Sequence, residues 1–300
     1  MRIEKLVVIG VGLIGASCAL AVRRACAVGE IIGVGRSREN LDRALARGAI
    51  DRAVMQGDDW TREVVGADFV LIAIPVAQYR DTLAALAPAL GGETVLTDAG
   101  STKQDVVRAA REALHARLPQ FVPGHPIAGN ERSGADAADP ALYVGRQVIL
   151  TPLPETSAAA MERVEAFWTA CGARVERLDP ARHDRILAAV SHLPHLLAST
   201  LVAELAARKD SAEYLSHAGS GFRDFTRIAG SSPEMWRDIA LANREALLTE
   251  LACYRTALDA LALSIEHGDR AALDTMLARA AETRRRWGET VAGVPSGAAP

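Results

Sequence analysis

The sequence predicts an α/β domain built on a doubly wound parallel sheet, followed by an all-helical domain. Three observations indicate this. Short apolar runs alternate with helical patterns in the first half, a glycine motif follows the first run, and only helical patterns occur after about residue 178. The 300 residues are enough for two domains. We therefore expect domains at 1–178 and 179–288 and a disordered tail at 289–300.

The strands of the first domain are predicted from apolar runs that end in glycine, proline or polar residues. The run ADFVLIAIP is apolar almost throughout, as expected for a strand covered by helices on both faces. The predicted strands are 5–10, 30–35, 67–75 and 93–100, with later strands within 120–124, 146–152 and 173–178. The predicted helices between them are 13–27, 38–48, 77–90 and 102–116. This alternation is typical of a parallel doubly wound sheet.

The second domain is predicted to contain helices only. Asp179 and Pro180 form a favourable N-cap and first-turn pair. The predicted helices are 180–207, 233–265 and 269–287, and Pro194 should kink the first of them. These helices carry more apolar residues than a monomer can bury. We therefore expect a homodimer that forms through this domain.

Composition excludes several classes of partner. A net charge of −3 and 4% aromatic residues argue against nucleic acid and acidic membranes. The four cysteines include no CxxC pair, which favours reduced thiols in a cytoplasmic protein. Residues 1–20 could pass for a secretory signal, but Glu4 lies where such signals are basic. We expect no other uncharged apolar run to reach membrane-spanning length, and therefore no membrane segment.

A dinucleotide site is predicted at the first strand-to-helix turn, where Gly10, Gly12 and Gly15 form a GxGxxG motif. In a Rossmann-type fold, the first glycine permits the tight turn, the second admits the pyrophosphate, and the third lets helix and strand pack closely. Leu13 and Ile14 complete the loop, and the N–H groups of the helix N-terminus would face the phosphate. The alternative is that the glycines serve packing alone.

The end of the second strand predicts which dinucleotide is bound. An NAD site usually has an acid there, which binds the ribose 2′-hydroxyl. This sequence has Gly35, followed by Arg36 and Ser37, which suit a 2′-phosphate. We expect NADP to be preferred and NAD to be possible. Alternatively, Arg36 and the nearby Arg38 are solvated surface charges.

Three strand ends should meet at the carboxyl edge of the sheet, where such folds bind ligands. They carry Ile74 and Pro75, then Ser101 in TDAGSTK, then His125 in GHPIAGNE. A histidine with a pKa near ~6.5 suits a general base at neutral pH. Its glycine and proline neighbours would hold the ring in place, and a surface histidine is the alternative.

These motifs resemble the prephenate/arogenate (cyclohexadienyl) dehydrogenase family of tyrosine biosynthesis. The resemblance covers nearly the whole chain and depends on GVGLIG, TDAGSTK, GHPIAGNERSG, SHLPH and GSGFRDFTRIAGSSPEMWRDI. It implies oxidative decarboxylation of prephenate or arogenate to 4-hydroxyphenylpyruvate or tyrosine, with hydride transfer to NAD(P)+. It also implies a dinucleotide domain followed by a helical all-α dimerisation domain.

The resemblance further implies roles for individual residues. His125 would take the proton of the ring 4-hydroxyl, Ser101 would touch that hydroxyl and the nicotinamide, and Arg227 would hold a substrate carboxylate. The other residues that it implies on the substrate side are Asp224, Glu131, Trp236, His192 and His195. Of the two histidines, His195 is favoured as the contact to the substrate side chain.

Three other readings remain open at this point. His192 and His195, with His183 upstream, could bind a metal, but no acidic pattern accompanies them and we expect none. A β-hydroxyacid dehydrogenase would need a catalytic lysine in the helical domain, where Lys209 is the only lysine. A non-catalytic dinucleotide sensor would have no need of the Ser101, His125 and Arg227 set.

Overall fold

The computed structural model describes residues 2–129 and 132–292. Its first half contains a six-stranded sheet in the order β3-β2-β1-β4-β5-β6, in which every pairing is parallel. The strands are β1 (Arg2–Ile9), β2 (Ala27–Gly35), β3 (Arg52–Met55), β4 (Phe69–Ile72), β5 (Val95–Asp98) and β6 (Phe121–Val122). The helices α1 (Leu13–Ala25), α2 (Arg38–Ala46), α3 (Tyr79–Leu86) and α4 (Gln104–Leu114) connect them. This architecture confirms the predicted doubly wound sheet.

Alternating side chains of β1 enter two separate cores, one on each face of the sheet. Leu6 and Val8 belong to one core, whereas Val7 and Ile9 belong to the other. Because β1 lies in the middle of the sheet, the amino-terminal segment is an integral part of this domain. Strand order reverses between β1 and β4, and this is the place where doubly wound sheets open a ligand crevice.

The last three strands form a second sheet, whereas the sequence predicts them as part of the first sheet. It consists of β7 (Gly124–Pro126), β8 (Gln147–Leu150) and β9 (Arg174–Arg177), and β7 pairs antiparallel with β8. Pro123 separates β6 from β7, and a proline cannot donate to a strand ladder. Two further elements were not predicted, the four-residue strand β3 and α5 (Ala158–Ala170).

The second half of the described chain is helical, as predicted. Its helices are α6 (Pro180–Leu187), α7 (Leu193–Ala206), α8 (Ser211–Ser216), α9 (Ser220–Thr226), α10 (Pro233–Ala242), α11 (Arg244–Glu266) and α12 (Arg270–Ala292). A π-helical turn over 188–192 joins α6 to α7 just before Pro194, which has no N–H to donate. The predicted helix 233–265 is interrupted at Asn243. The last helix continues to Ala292, beyond the expected start of a disordered tail at 289, and 293–300 lie outside the described residues.

The expectation that no further apolar run reaches membrane-spanning length was wrong. The helical stretch Pro180–Ala206 has the length and composition to cross a membrane, and residues 186–203 contain no Asp, Glu, Lys or Arg. One such helix is weak evidence for a membrane span. This one carries His183, Asp184 and His192, all buried within the protein. Through His183 and Asp184 this stretch contacts residues of the first domain.

Candidate active site

The glycine loop has the geometry that the sequence predicts. Gly10 has φ +94°, and a Cβ there would collide with the carbonyl oxygen of Ala73. A Cβ on Gly15 would collide with the carbonyl oxygen of Gly10, so helix α1 can pack closely on β1 only with glycine there. At Gly12 a Cβ would meet nothing within 4 Å. The space before the α1 N-terminus is therefore open, as a pyrophosphate requires.

Asn40 anchors this loop to two other segments of the chain, a role that no sequence motif indicates. Its Nδ2 donates to the carbonyl oxygen of Val11 at 2.7 Å, and its Oδ1 accepts from the N–H of Ala135 at 2.8 Å. The Tyr143 hydroxyl donates to the carbonyl oxygen of Ile14 at 2.6 Å. These side chains position the loop in which Leu13 and Ile14 lie.

A pocket of about 520 Å³ lies at the ends of β2, β3 and β4. Arg36 lines it from one side, and Gln78 and Asp81 line it from the segment after Pro75. The Ser37 hydroxyl accepts from the N–H of Asn40 at 3.2 Å and so caps α2. Arg38 is engaged in an ion pair with Asp42 at 2.9 Å. Arg36, in contrast, is exposed beside the pocket.

A buried ion pair joins the TDAGSTK turn to the strand that carries His125. The Nζ of Lys103 lies 2.5 Å from Oδ2 of Asp98, and both side chains are 0% exposed. The same Nζ donates to the carbonyl oxygen of Gly124 at 2.6 Å, and the Gly124 N–H donates to Asp98 Oδ1 at 2.9 Å. Neither residue was singled out from the sequence, although both lie in a quoted motif. Together they fix the backbone on either side of the half-buried Ser101 and next to His125.

Two further buried residues stand behind His125. Its Nδ1 lies 2.9 Å from Nε2 of His183, whose Nδ1 lies 2.8 Å from Oδ1 of Asp184. The Asp184 carboxylate also accepts the N–H of Lys103 at 2.8 Å and of Gln104 at 2.9 Å. Residues of α6 thereby contact the start of α4 and strand β7. From the sequence, His183 is a candidate only for a metal ligand, and Asp184 gives no signal of its own.

Electrostatics keep these histidines neutral. Burial lowers the pKa of His125 well below 6.5, and the nearby His183, Lys103 and His192 lower it further. Burial also lowers the pKa of His183, and this outweighs the opposing hydrogen bond to Asp184. For Asp184 itself burial acts to raise the pKa, but the hydrogen bonds from His183, Gln104 and Lys103 lower it overall. The row of hydrogen-bonded side chains thus consists of two neutral imidazoles, His125 and His183, and the carboxylate of Asp184.

A second cluster of aromatic side chains lies beside the first. Asn243 Nδ2 donates to the carbonyl oxygen of Asp184 at 2.8 Å and contacts Nδ1 of His192 at 3.1 Å. Burial lowers the pKa of His192 to about 4. His195 stacks on Trp236 with ring centroids 3.7 Å apart. Within the described part of the chain, the buried Nδ1 of His195 and Nε1 of Trp236 have no hydrogen-bond partner.

The structure therefore brings together some of the predicted residues and leaves others apart. His125 lies beside His192, and His192 and His195 both contact Trp236. Asp224, near the end of α9, and Arg227, in the following turn that packs on α7, are both exposed. Glu131 lies outside the described residues. No group of three or more His, Cys, Asp or Glu arranged to hold a metal occurs among residues 2–129 and 132–292.

Family models match almost the entire folded chain. Residues 18–177 match the nucleotide-binding domain of prephenate dehydrogenase, and residues 179–279 match the dimerization domain of prephenate dehydrogenase. The two matches adjoin at the point where the strands end and the helices begin.

Individual relatives agree with these models. The prephenate dehydrogenase of Bacillus subtilis is 37% identical over 268 residues, which are 89% of this chain and 71% of the relative. The structure is similar to prephenate dehydrogenase from Aquifex aeolicus in complex with hydroxyphenyl propionate and NAD+, with a TM-score of 0.88, 33% identity and coverage of 94% and 98% of the two chains. It is also similar to Synechocystis arogenate dehydrogenase, with a TM-score of 0.77, 30% identity and coverage of 95% and 100%.

Proposed function

Because the chain belongs to the prephenate dehydrogenase family, we propose that it oxidatively decarboxylates prephenate or arogenate in tyrosine biosynthesis, with hydride transfer to NAD(P)+. The observation that carries the assignment is the position of His125. It is a neutral, buried imidazole at the carboxyl edge of a dinucleotide-binding sheet. A general base is needed there and an ordinary surface histidine would be solvated.

The residues of this chain supply binding, orientation and proton transfer, and a bound nicotinamide supplies the hydride acceptor. His125 takes the proton of the ring 4-hydroxyl, and Ser101 orients that hydroxyl. The carbon that bears the hydroxyl loses its hydrogen as hydride. The bond to the ring carboxylate then breaks, CO2 leaves, and the released electron pair completes an aromatic ring. The phenolate oxygen formed in this way takes back the proton from His125. Aromatisation makes the reaction favourable, so the protein mainly needs to align the two reactants.

The helical half would bind the rest of the substrate. Arg227 is exposed and suits a bidentate contact to a carboxylate, and Asp224 lies one turn before it. His195 and Trp236 each present a buried nitrogen without a partner among the described residues, and these suit the polar side chain of the substrate. His192 packs edge-on against the same tryptophan. Glu131 stays a prediction from the resemblance.

For the cofactor we propose that NADP+ is preferred and NAD+ is accepted. Gly35 leaves no carboxylate to bind the ribose 2′-hydroxyl or to repel a 2′-phosphate. Arg36 is exposed at the adjacent pocket and is able to pair with such a phosphate. Asp81 lines the opposite side of that pocket, so the preference should be moderate.

The quaternary structure that we propose is a homodimer through the helical domain. Large apolar side chains are exposed along its last two helices, namely Leu248, Leu258, Leu263, Ile265, Met276, Leu277 and Trp287. An open groove of about 1040 Å³ follows α12 from Asp269 to Trp287. A second copy of this chain would cover these surfaces. Light scattering at micromolar concentration should give about twice the 31.8 kDa mass of one chain; a monomer would contradict the proposal.

We also infer a cytoplasmic location, which the four free cysteines suit.

The direct test is to incubate the protein with prephenate or with arogenate, each with NAD+ and with NADP+. Reduced nicotinamide should appear together with 4-hydroxyphenylpyruvate or tyrosine, and kcat/KM for the four combinations gives both preferences. A β-hydroxyacid dehydrogenase would instead oxidise simple 3-hydroxy acids, and a sensor would bind the dinucleotide without turnover. Lys209, which the first of these would need, is exposed in the turn after α7.

A further inference from the structure

We propose that His183 and Asp184 are positioning residues that hold His125 in the one tautomer able to act as a base. The inference rests on the proposed role of His125 as the general base, and it adds which residues give that histidine the tautomer that can accept a proton. A neutral imidazole carries its proton on either Nδ1 or Nε2, and only an unprotonated nitrogen accepts a proton. The hydrogen bonds behind His125 decide which nitrogen that is.

The ionised carboxylate of Asp184 can only accept hydrogen bonds, and this determines which nitrogen of each histidine carries a proton. Oδ1 of Asp184 lies 2.8 Å from Nδ1 of His183, so this nitrogen must carry the proton. In the neutral ring, Nε2 of His183 is then unprotonated. It faces Nδ1 of His125 at 2.9 Å. Two lone pairs at this distance would repel each other, so Nδ1 of His125 must be the donor. Its Nε2 is therefore left as the basic nitrogen.

The surroundings prevent this chain of hydrogen bonds from reversing. Reversal would require a proton on Asp184, but three donors hold its carboxylate, namely His183 and the N–H groups of Lys103 and Gln104. The main chain of Asp184 is also fixed, because its carbonyl oxygen accepts from Asn243. Both His183 and Asp184 are buried, at 0% and 1% exposure. Water is thus kept from competing for these bonds.

A structural consequence concerns the two domains. His125 belongs to β7, whereas His183 and Asp184 belong to α6, on the far side of the boundary between the two halves. The base acquires its correct tautomer only when α6 packs against α4 and β7. In a serine protease, loss of the corresponding orienting carboxylate lowers kcat on the order of 10⁴-fold through the wrong tautomer. The effect expected here is smaller, because a ring lies between carboxylate and base.

Substitutions at His183 separate orientation from simple loss of structure. His183→Leu removes the acceptor and should lower kcat about 10- to 10³-fold, with KM and cofactor affinity changed less than about threefold. His183→Gln should recover most of kcat, because its Oε1 can accept near the position of Nε2. The matched control is Thr94→Val, which removes another buried hydrogen bond, from Thr94 to the carbonyl oxygen of Ala67, at the opposite edge of the sheet. It should leave kcat unchanged.

A second readout does not depend on turnover. Nitrogen NMR of the dimer labelled with ¹⁵N-histidine reports the tautomer, and the signals of His125 are those missing from His125→Asn. Lys103 and His192 also act on the charge of the His125 ring, and Lys103, Asp98 and Asp184 act on that of the His183 ring. The measurement is therefore made on the alkaline side of the histidine pKa values, where both rings are neutral. Wild type should show the proton of His125 on Nδ1, and His183→Leu should show a shift toward Nε2.

The outcomes distinguish this inference from the proposed function. A proton on Nε2 of His125 in the wild type would overturn the tautomer assignment, even if His183→Leu failed to fold. Normal kcat in a folded His183→Leu would overturn it as well. Normal kcat in His125→Asn, in contrast, would overturn the role of His125 itself and with it the premise. Activity lost equally in His183→Leu and His183→Gln, with no change in tautomer, would mean that His183 is structural only.

Discussion

In the first half of the chain β4 and β5 are buried at every residue, whereas in the 23 residues of α11 only Leu247 is buried. The two halves also contribute to the site by different means. For the dinucleotide, the first half offers mainly backbone, in a glycine loop and in the N-terminus of α1, and it adds the side chains of Ser101 and His125 for the reaction. The second half offers side chains, which are the histidines of α6 and α7, Trp236 and Arg227.

This difference indicates how each part of the site depends on the rest of the molecule. A backbone site is set by the local turn and the core beneath it, so it forms as soon as the sheet forms. A side-chain site depends on how helices pack on the sheet and on each other. Substitutions in the helical half should therefore impair substrate binding and proton transfer while the dinucleotide stays bound.

The largest expected effect is at the meeting point of the halves. His125→Asn should lower kcat about 10²–10⁴-fold with little change in KM, because a general base contributes about that much. Steady-state kinetics check this, with the exposed His217→Asn as a control that should behave as wild type. Near-normal kcat in His125→Asn would remove this residue from the mechanism.

The pH profile of the wild type sharpens the same point. The neutral form of His125 is the active one, so kcat/KM should rise with pH through the pKa of this residue and then level off. Burial, together with His183, Lys103 and His192, lowers that pKa below 6.5. The midpoint of the rise should therefore lie below pH 6.5. A rise centred above pH 7 would mean that another group is the base.

The next largest effect tests whether the helical half binds only the substrate and not the dinucleotide. Arg227→Ala should raise KM for the substrate about 10- to 150-fold, since charge-assisted hydrogen bonds contribute about 1.5–3 kcal/mol. The dissociation constant of the dinucleotide should stay the same. Arg223→Ala, which removes another exposed arginine from the same region, is the matched control. Equal losses for substrate and dinucleotide would place Arg227 in a structural role or at the nucleotide.

The helical half should also make stability depend on pH, through His192. Its pKa is about 4 in the folded state and about 6.5 when unfolded. The unfolded chain therefore binds a proton first as the pH falls below 6.5, and stability is lost progressively down to pH 4. Between pH 7 and 4.5 this single group should cost about 2 kcal/mol of unfolding free energy.

Urea unfolding of wild type and His192→Asn at both pH values isolates that contribution. The asparagine Oδ1 can replace Nδ1 of His192 as acceptor for Asn243, so packing should be largely kept. The variant should lose about 2 kcal/mol less than wild type between pH 7 and 4.5. The same loss in both proteins would mean that His192 is not buried as a neutral ring.

Local patterns could be predicted from the sequence, whereas contacts between distant segments could not. The strand–helix alternation is a local pattern, and the sequence predicts it correctly. The glycine loop is also a local pattern and packs as its glycines require, while its binding of a dinucleotide stays a prediction. The contact of His125 with His183 spans 58 residues, and no periodicity links the two. The second sheet was missed because Pro123 interrupts a single apolar run. Lys103 and Asp98 lie in a quoted motif, yet their ion pair became evident only from burial.

The smallest expected effect concerns the dinucleotide site of the first half. Arg36 is exposed, so its contact to a 2′-phosphate should contribute about 1–2 kcal/mol, a preference for NADP+ of about 5- to 30-fold in kcat/KM. High salt should reduce it, because screening weakens an exposed ion pair more than the hydrogen bonds of a ribose diol. Arg38→Ala should leave the preference unchanged, since Arg38 pairs with Asp42.

A double substitution that reverses this cofactor preference tests whether the residues at the end of β2 determine it. Gly35→Asp with Arg36→Ile should favour NAD+, because the carboxylate binds the diol and repels the phosphate. A Cβ at Gly35 would lie 3.2 Å from Cδ2 of Leu41, a flexible side chain that can move slightly. Gly35→Ala measures the cost of that crowding, which should fall equally on both cofactors. If the wild type instead treats NAD+ and NADP+ alike at low salt, Arg36 points to solvent and the end of β2 does not select the cofactor.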